Sequence, residues 1–150
     1  MEFEDLLAKG FLIKASVNFK QIRNFLARAR KDLNAARRSL QIDEEWAFAI
    51  AYNAMLRAAR ALLLSMGYRP KGKDHHRTLV IITERTLGIQ NRDLTRNFDR
   101  MRRKRHEFIY EPNQPIPRLE AEAALDTAQE FLQIIENHVG ERDPQRKIKV

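Results

Sequence analysis

The chain has 150 residues, 28 Lys/Arg against 20 Asp/Glu, a formal net charge of +8 and no cysteine. That length suits one domain with a core of its own, and the missing thiols exclude disulfides, thiolate metal sites and a cysteine nucleophile. The charge is localised: Arg69 to Arg105 holds 12 Lys/Arg against 4 Asp/Glu, whereas the rest of the chain balances at 16 against 16, a pattern that points to a phosphate-bearing partner.

No apolar run approaches about 20 residues. The acidic start Met1-Glu2-Phe3-Glu4-Asp5 does not resemble a presequence. The expectation is a soluble, cytoplasmic protein without a membrane span.

The chain reads as helices throughout, with no convincing strand. A short leading helix is expected near Glu2 to Ala8, closed by Gly10. Asn18 followed by Gln21 looks like a capped helix start. Ile22, Leu26, Ala29, Leu33, Ala36 and Leu40 then keep the 4-3 rhythm of one apolar face. Asp43 caps a second long helix whose first turn carries Glu44 and Glu45, favourable to the dipole. It runs to Gly67, with seven alanines between Ala47 and Ala61. Small side chains on nearly every face make it the central, most buried helix, with Asn53, Arg57 and Arg60 as polar exceptions.

Arg69 to Lys73 reads as a basic loop. A shorter helix follows over His75 to Leu87 and stops at Gly88. The next begins near Asn91 to Asp93 and runs to about Tyr110, where Pro112, Pro115 and Pro117 forbid continuation. A final helix spans about Arg118 to Val139, with Gly140 beyond it. The domain is therefore expected over 1–140, with a polar, flexible tail over 141–150. Short connections between these helices imply an all-α, up-and-down antiparallel bundle.

The chemistry concentrates in the basic helix. Leu94, Phe98, Met101, Arg105 and Phe108 follow at 4, 3, 4, 3 spacing, so Arg105 falls on the packing seam. An unpaired guanidinium there costs several kcal/mol, about what a buried charge costs, unless it is paired or faces a wet cleft. Arg102, His106 and Tyr110 form a neighbouring i, i+4, i+8 stripe. Arginine beside histidine suits metal-free RNA cleavage: imidazole takes the 2′-hydroxyl proton while guanidinium stabilises the phosphate. Arg102 and Arg103 are candidate phosphate ligands, and Lys71 and Lys73 extend the positive field. Asn53 is a candidate partner for Arg105 or for a ligand. Neither a metal nor a cofactor is expected: His75 and His76 read as exposed residues at a helix start, and His138 as a partner of a helix C-terminus.

The run from Ala51 to Pro70 resembles the second-helix signature of HEPN domains. Met101-Arg102-Arg103-Lys104-Arg105-His106-Glu107-Phe108-Ile109-Tyr110 is similar to their fourth-helix motif, and the likeness extends over roughly Phe19 to Val139. The resemblance implies a helical bundle that pairs as a symmetric homodimer, here around the helices holding Asn53 and Arg105. In ribonuclease members, an R-x4-to-6-H motif from each subunit lines a shared cleft. Other members bind RNA or nucleotides without cutting, or partner small nucleotidyltransferases in toxin–antitoxin pairs. In one register Arg105 holds the motif arginine, His106 its polar second position, and Tyr110 stands where the histidine should be. A phenol is a poor base at neutral pH. In the other register Arg100 and His106 satisfy the motif. The three functional expectations are thus an RNA-directed binding protein, a ribonuclease toxin using Arg100 and His106, or a non-catalytic partner of a nucleotidyltransferase.

Overall fold

The computed structural model describes residues 3–110 and 115–145, apart from the side chains of Phe108 and Ile109. Six helices follow in order: α1 (Glu4–Ala8), α2 (Phe19–Ser39), α3 (Glu44–Ser65), α4 (His75–Leu87), α5 (Arg92–Tyr110) and α6 (Arg118–Arg142), with a 3-10 turn over Ile89–Asn91. They form the all-α bundle expected from periodicity. The expected helix residue Glu2, the Phe108 seam position and Pro112 lie outside the described residues.

Two caps start the long helices as anticipated. The Asn18 side chain accepts from Gln21 N at 3.2 Å, and that of Asp43 accepts from Trp46 N at 3.1 Å. Each satisfies a backbone donor that the first helical turn cannot pair. Helix α2 buries Ile22, Ala29, Leu33 and Ala36, and its Arg23, Arg28 and Arg30 form ion pairs with Asp143, Asp32 and Glu136. Helix α3 buries 14 of its 22 residues, among them all seven alanines, so α2 and α6 pack closely along it. By length and composition α3 could cross a membrane, because alanine and leucine dilute Arg57 and Arg60, yet 67% of its most apolar window is buried in the bundle.

One acidic group is built into this frame. Asp32 is buried on α2, accepts hydrogen bonds from Arg28 Nε at 3.2 Å and Asn53 Nδ2 at 3.3 Å, and forms an ion pair with Arg57 Nε at 2.7 Å without a hydrogen bond. Two donors and a further guanidinium charge compensate a carboxylate that would otherwise be costly to bury.

A two-stranded ribbon corrects the expectation of no strand. β1 (Leu12–Lys14) pairs antiparallel with β2 (Tyr68–Pro70), Leu12 opposite Pro70. The backbone bonds Ala15 N to Gly67 O (2.8 Å) and Lys71 N to Phe11 O (2.9 Å) continue it at both ends. Part of the supposed basic loop is therefore strand, tolerating Pro70 because a two-stranded ribbon is all edge. Gly67 makes the junction: at φ +88° it turns the chain out of α3 into β2, a conformation that costs glycine little.

The end of the chain also differs from expectation. Gly140 does not stop α6, which runs on to Arg142. Asp143 is buried and accepts Arg23 Nη1 on both oxygens at 2.9 Å, tying the helix end to α2. The boundary expected at Gly140 thus falls inside a packed helix; residues 146–150 of the expected tail lie outside the described residues.

Candidate functional site

Helices α3, α4 and α5 meet around Tyr52. Its ring is fully buried and packs against Phe98 at 5.9 Å between centroids, and Phe98 against Phe131 at 4.7 Å. This aromatic column runs from α3 through α5 to α6. It is why Leu94, Phe98 and Met101 are buried as the seam predicts. One helical turn further, Arg105 places its guanidinium carbon 5.8 Å from the Tyr52 ring centroid. The seam position is thus half-buried and spent on a cation–π contact, leaving the charge open to a cleft.

Helix α4 enters from the other side. Asp74, at its N-cap, takes the left-handed conformation (φ +58°). His76 in the first turn lies with Nδ1 3.2 Å from the Tyr52 hydroxyl, its ring 5.7 Å from the Tyr52 ring. Asp74, His75, His76 and Arg77 from α4 face Arg102, Arg105 and His106 from α5 across a cleft of about 320 Å³. Asp74 is its one lining carboxylate among the described residues. Arg102 Nε also contacts Asp99 at 2.9 Å, and the more exposed Arg103 reaches the same carboxylate at 3.5 Å. The His106 and Tyr110 rings lie 4.6 Å apart at a tilt of 46°, with Tyr110 largely exposed.

The electrostatics follow from this placement. Burial, then the charges of Arg105, Arg60 and Arg102, and then His75, push His76 below the ordinary imidazole value. It is neutral at pH 7. Burial holds the Tyr52 phenol above its ordinary value, partly opposed by Arg102 and Arg105, so it stays protonated. Where His76 donates Nδ1–H to the phenol oxygen, Nε2 carries a free lone pair; with the phenol donating, Nε2 carries the proton. The cleft therefore offers three guanidinium groups, those of Arg77, Arg102 and Arg105, for a phosphate and a neutral imidazole for proton transfer. Among the described residues no cluster of His, Asp and Glu is arranged to hold a metal.

The expected site residues separate into groups. Arg102, Arg105 and His106 come together, with Tyr110 beside His106. Arg100 does not: it lines a small crevice between α5 and α6 with Glu120 and Phe48, away from the cleft that His106 lines. Six positions on a helix amount to a rotation of about 120°, so the two face apart. Asn53 also departs from expectation. It bonds Asp32 rather than Arg105, because its neighbour Tyr52 occupies the cleft-facing side of α3. Lys71 lines a neighbouring cavity and Lys73 is exposed on the loop before α4; neither lines the cleft. Tyr52 was not singled out by sequence, and His75 and His76, expected to be exposed, are half-buried. The available signal was a large aromatic among small residues of α3, and a histidine pair whose members must point about 100° apart, so that one turns inward.

The HEPN domain family matches residues 22–138 of the chain. The chain belongs to the HEPN family. The HEPN bundle is also similar to a solved structure, the crystal structure of TT1696 from Thermus thermophilus, with 26% sequence identity and a TM-score of 0.61; the likeness covers 79% of this chain and 98% of that one. No curated protein sequence matches. HEPN membership assigns the chain to a nucleotide-binding and ribonuclease-like superfamily. Of the two motif registers, the one built on Arg105 has its arginine in the cleft of this HEPN domain.

Proposed function

We propose that this HEPN protein binds RNA through the cleft between α4 and α5, as a homodimer and within a toxin–antitoxin-like pair. Arg102 and Arg105 hold backbone phosphates, His75 and His106 flank them, and Tyr110 stands at the position where ribonuclease members carry histidine. The observation that supports this reading is the convergence of guanidinium and imidazole groups from two helices on one cleft rimmed, among the described residues, by a single carboxylate. Such a site favours polyanions and gives steep salt dependence.

Fluorescence anisotropy with labelled single-stranded RNA, repeated across salt concentrations, tests it. Arg105→Ala should weaken binding about tenfold and reduce the salt slope by about 0.7, the loss of one phosphate contact. Unchanged affinity and slope in both Arg102→Ala and Arg105→Ala would refute the cleft as the RNA site. Light scattering checks the dimer, and co-purification with a co-expressed nucleotidyltransferase checks the pairing.

A second reading, metal-free cleavage, is favoured by His76: a neutral imidazole beside the arginines, oriented by Tyr52. His76 would accept the 2′-hydroxyl proton as that oxygen attacks phosphorus, and His106 would protonate the departing 5′-oxygen, leaving a 2′,3′-cyclic phosphate. Incubating RNA in EDTA with wild type, His76→Gln and His106→Ala separates the readings. Intact RNA throughout leaves binding alone; cleavage lost in both variants establishes the nuclease.

A further inference from the structure

Beside the cleft lies a second cavity, of about 560 Å³, bounded by the start of α2, the end of α3, the ribbon and the first turn of α4. Its walls are of two kinds. Phe25, Leu64 and Pro70 supply apolar surface, while Arg60, Arg69 and Lys71 supply positive charge. Among the described residues no carboxylate lines it and none pairs with Arg60 or Lys71. Phe25 and Leu64 pack their inner faces on the core yet remain only half-buried. A flat apolar wall thus stays wet, next to a half-buried guanidinium without a counter-charge. Both costs fall if a ligand brings a ring and an anionic group together.

The two cavities share a wall. His75 lines both, and Arg60 lies close enough to His76 to act on its charge. A phosphate site adjoining an apolar, cation-rimmed pocket matches the repeating unit of a single strand, in which each backbone phosphate carries a flat base beside it. The cavity volume lies within the range of small-ligand sites, roughly 300 to 1,000 Å³.

We propose that this second cavity is a nucleobase subsite, which takes one unstacked base of a single-stranded RNA whose phosphates lie in the α4–α5 cleft. The inference rests on the RNA reading above and adds a substrate class to it. Phe25 offers the stacking face, Leu64 and Pro70 close the apolar side, and Arg60 and Lys71 neutralise the flanking phosphates. Duplex RNA keeps its bases stacked and paired and cannot fill the pocket.

Anisotropy with the full chain tests this using three labelled RNAs of about ten nucleotides, a length within single-strand site sizes: a single strand, the same strand with central abasic residues, and a blunt duplex. Phe25→Leu, which keeps apolar packing but removes the ring, and Lys71→Ala report on the pocket; Arg105→Ala reports on the cleft. Loss of one stacked base should weaken the intact strand about tenfold in Phe25→Leu. The abasic strand should bind wild type about as weakly, with no further loss in that variant, and the duplex should bind worse than the single strand. Thermal melts show whether each variant is folded; should Phe25→Leu unfold, Lys71→Ala and the abasic strand carry the test. Equal binding of intact and abasic strands, with Arg105→Ala still impaired, overturns the subsite and leaves the RNA reading standing. No binding of any strand by wild type refutes both.

Discussion

Replacing Asp32 by alanine should loosen the α2–α3 pair without touching the cleft. Asp32 is buried and held by two hydrogen bonds and the charge of Arg57, but the three contacts are not equal. Arg28 is 54% exposed, so its pair is worth no more than about 0.5 kcal/mol. Arg57 is 36% exposed and 2.7 Å away, worth about 1 kcal/mol once solvent screening is discounted. The Asn53 bond, long at 3.3 Å, adds about 0.5 to 1 kcal/mol. Asp32→Ala should therefore cost about 2 kcal/mol and lower Tm by about 4 to 8 °C, whereas Arg28→Ala should cost less than about 0.5 kcal/mol. Differential scanning fluorimetry with urea titrations measures both. RNA anisotropy on Asn53→Ala supplies the functional half: affinity should equal wild type, because Asn53 serves this network. A Tm for Asp32→Ala within about 1 °C of wild type, well short of that shift, or an affinity loss in Asn53→Ala as large as that of Arg105→Ala, would refute the assignment.

Asp74→Gly removes a side chain from the left-handed N-cap of α4 and should stabilise the fold by up to about 1 kcal/mol; the same change removes the carboxylate of the cleft, so RNA should bind more tightly at low salt. His76 sits below its ordinary value of 6.5, so the unfolded chain takes up its proton first. Its contribution to stability is complete above that value and is lost as pH falls through it toward the folded value; urea midpoints at about pH 8 and about pH 5.5, on either side of the ordinary imidazole value, should diverge less in His76→Gln than in wild type. Asp5 is held down from 3.8 to about 2 by its hydrogen bond to Arg85, opposed by slight desolvation. The stability it contributes is present above 3.8 and lost between there and about 2, and Arg85→Ala should flatten that part of an acid titration. Gly67→Ala forces an L side chain to φ +88° and should cost about 1 to 2 kcal/mol, seen as a lowered urea midpoint.

Much of the bundle was legible because its signals are local. The Asn18 and Asp43 caps, the bounds of α4 and the seam of Leu94, Phe98 and Met101 all depend on neighbours within a few residues. The ribbon was not, since Leu12–Lys14 and Tyr68–Pro70 are too short for a period of two and find each other across more than 50 residues of chain. Gly140 misled for a similar reason: the distant Arg23 holds Asp143 and keeps the last turn of α6 wound. In the site, the placement of Arg105 on a seam was readable. Its partner was not, because adjacent residues on α3 face different ways and only packing decides that Tyr52, not Asn53, meets α5.

The burial of α3 has a consequence for how the protein is made. Helix α6 comes last among the helices and covers one side of the most apolar segment of the chain. During synthesis α3 therefore leaves the ribosome well before its cover exists, with alanine and leucine exposed over a length that suits a bilayer. Helix α2, already made, can shield one face at once; the other must wait for Phe131, Leu132 and Ile135. Chain released before residue 118 lacks this cover and should aggregate or engage chaperones, so the late steps of translation, not the docking of α2, complete the fold.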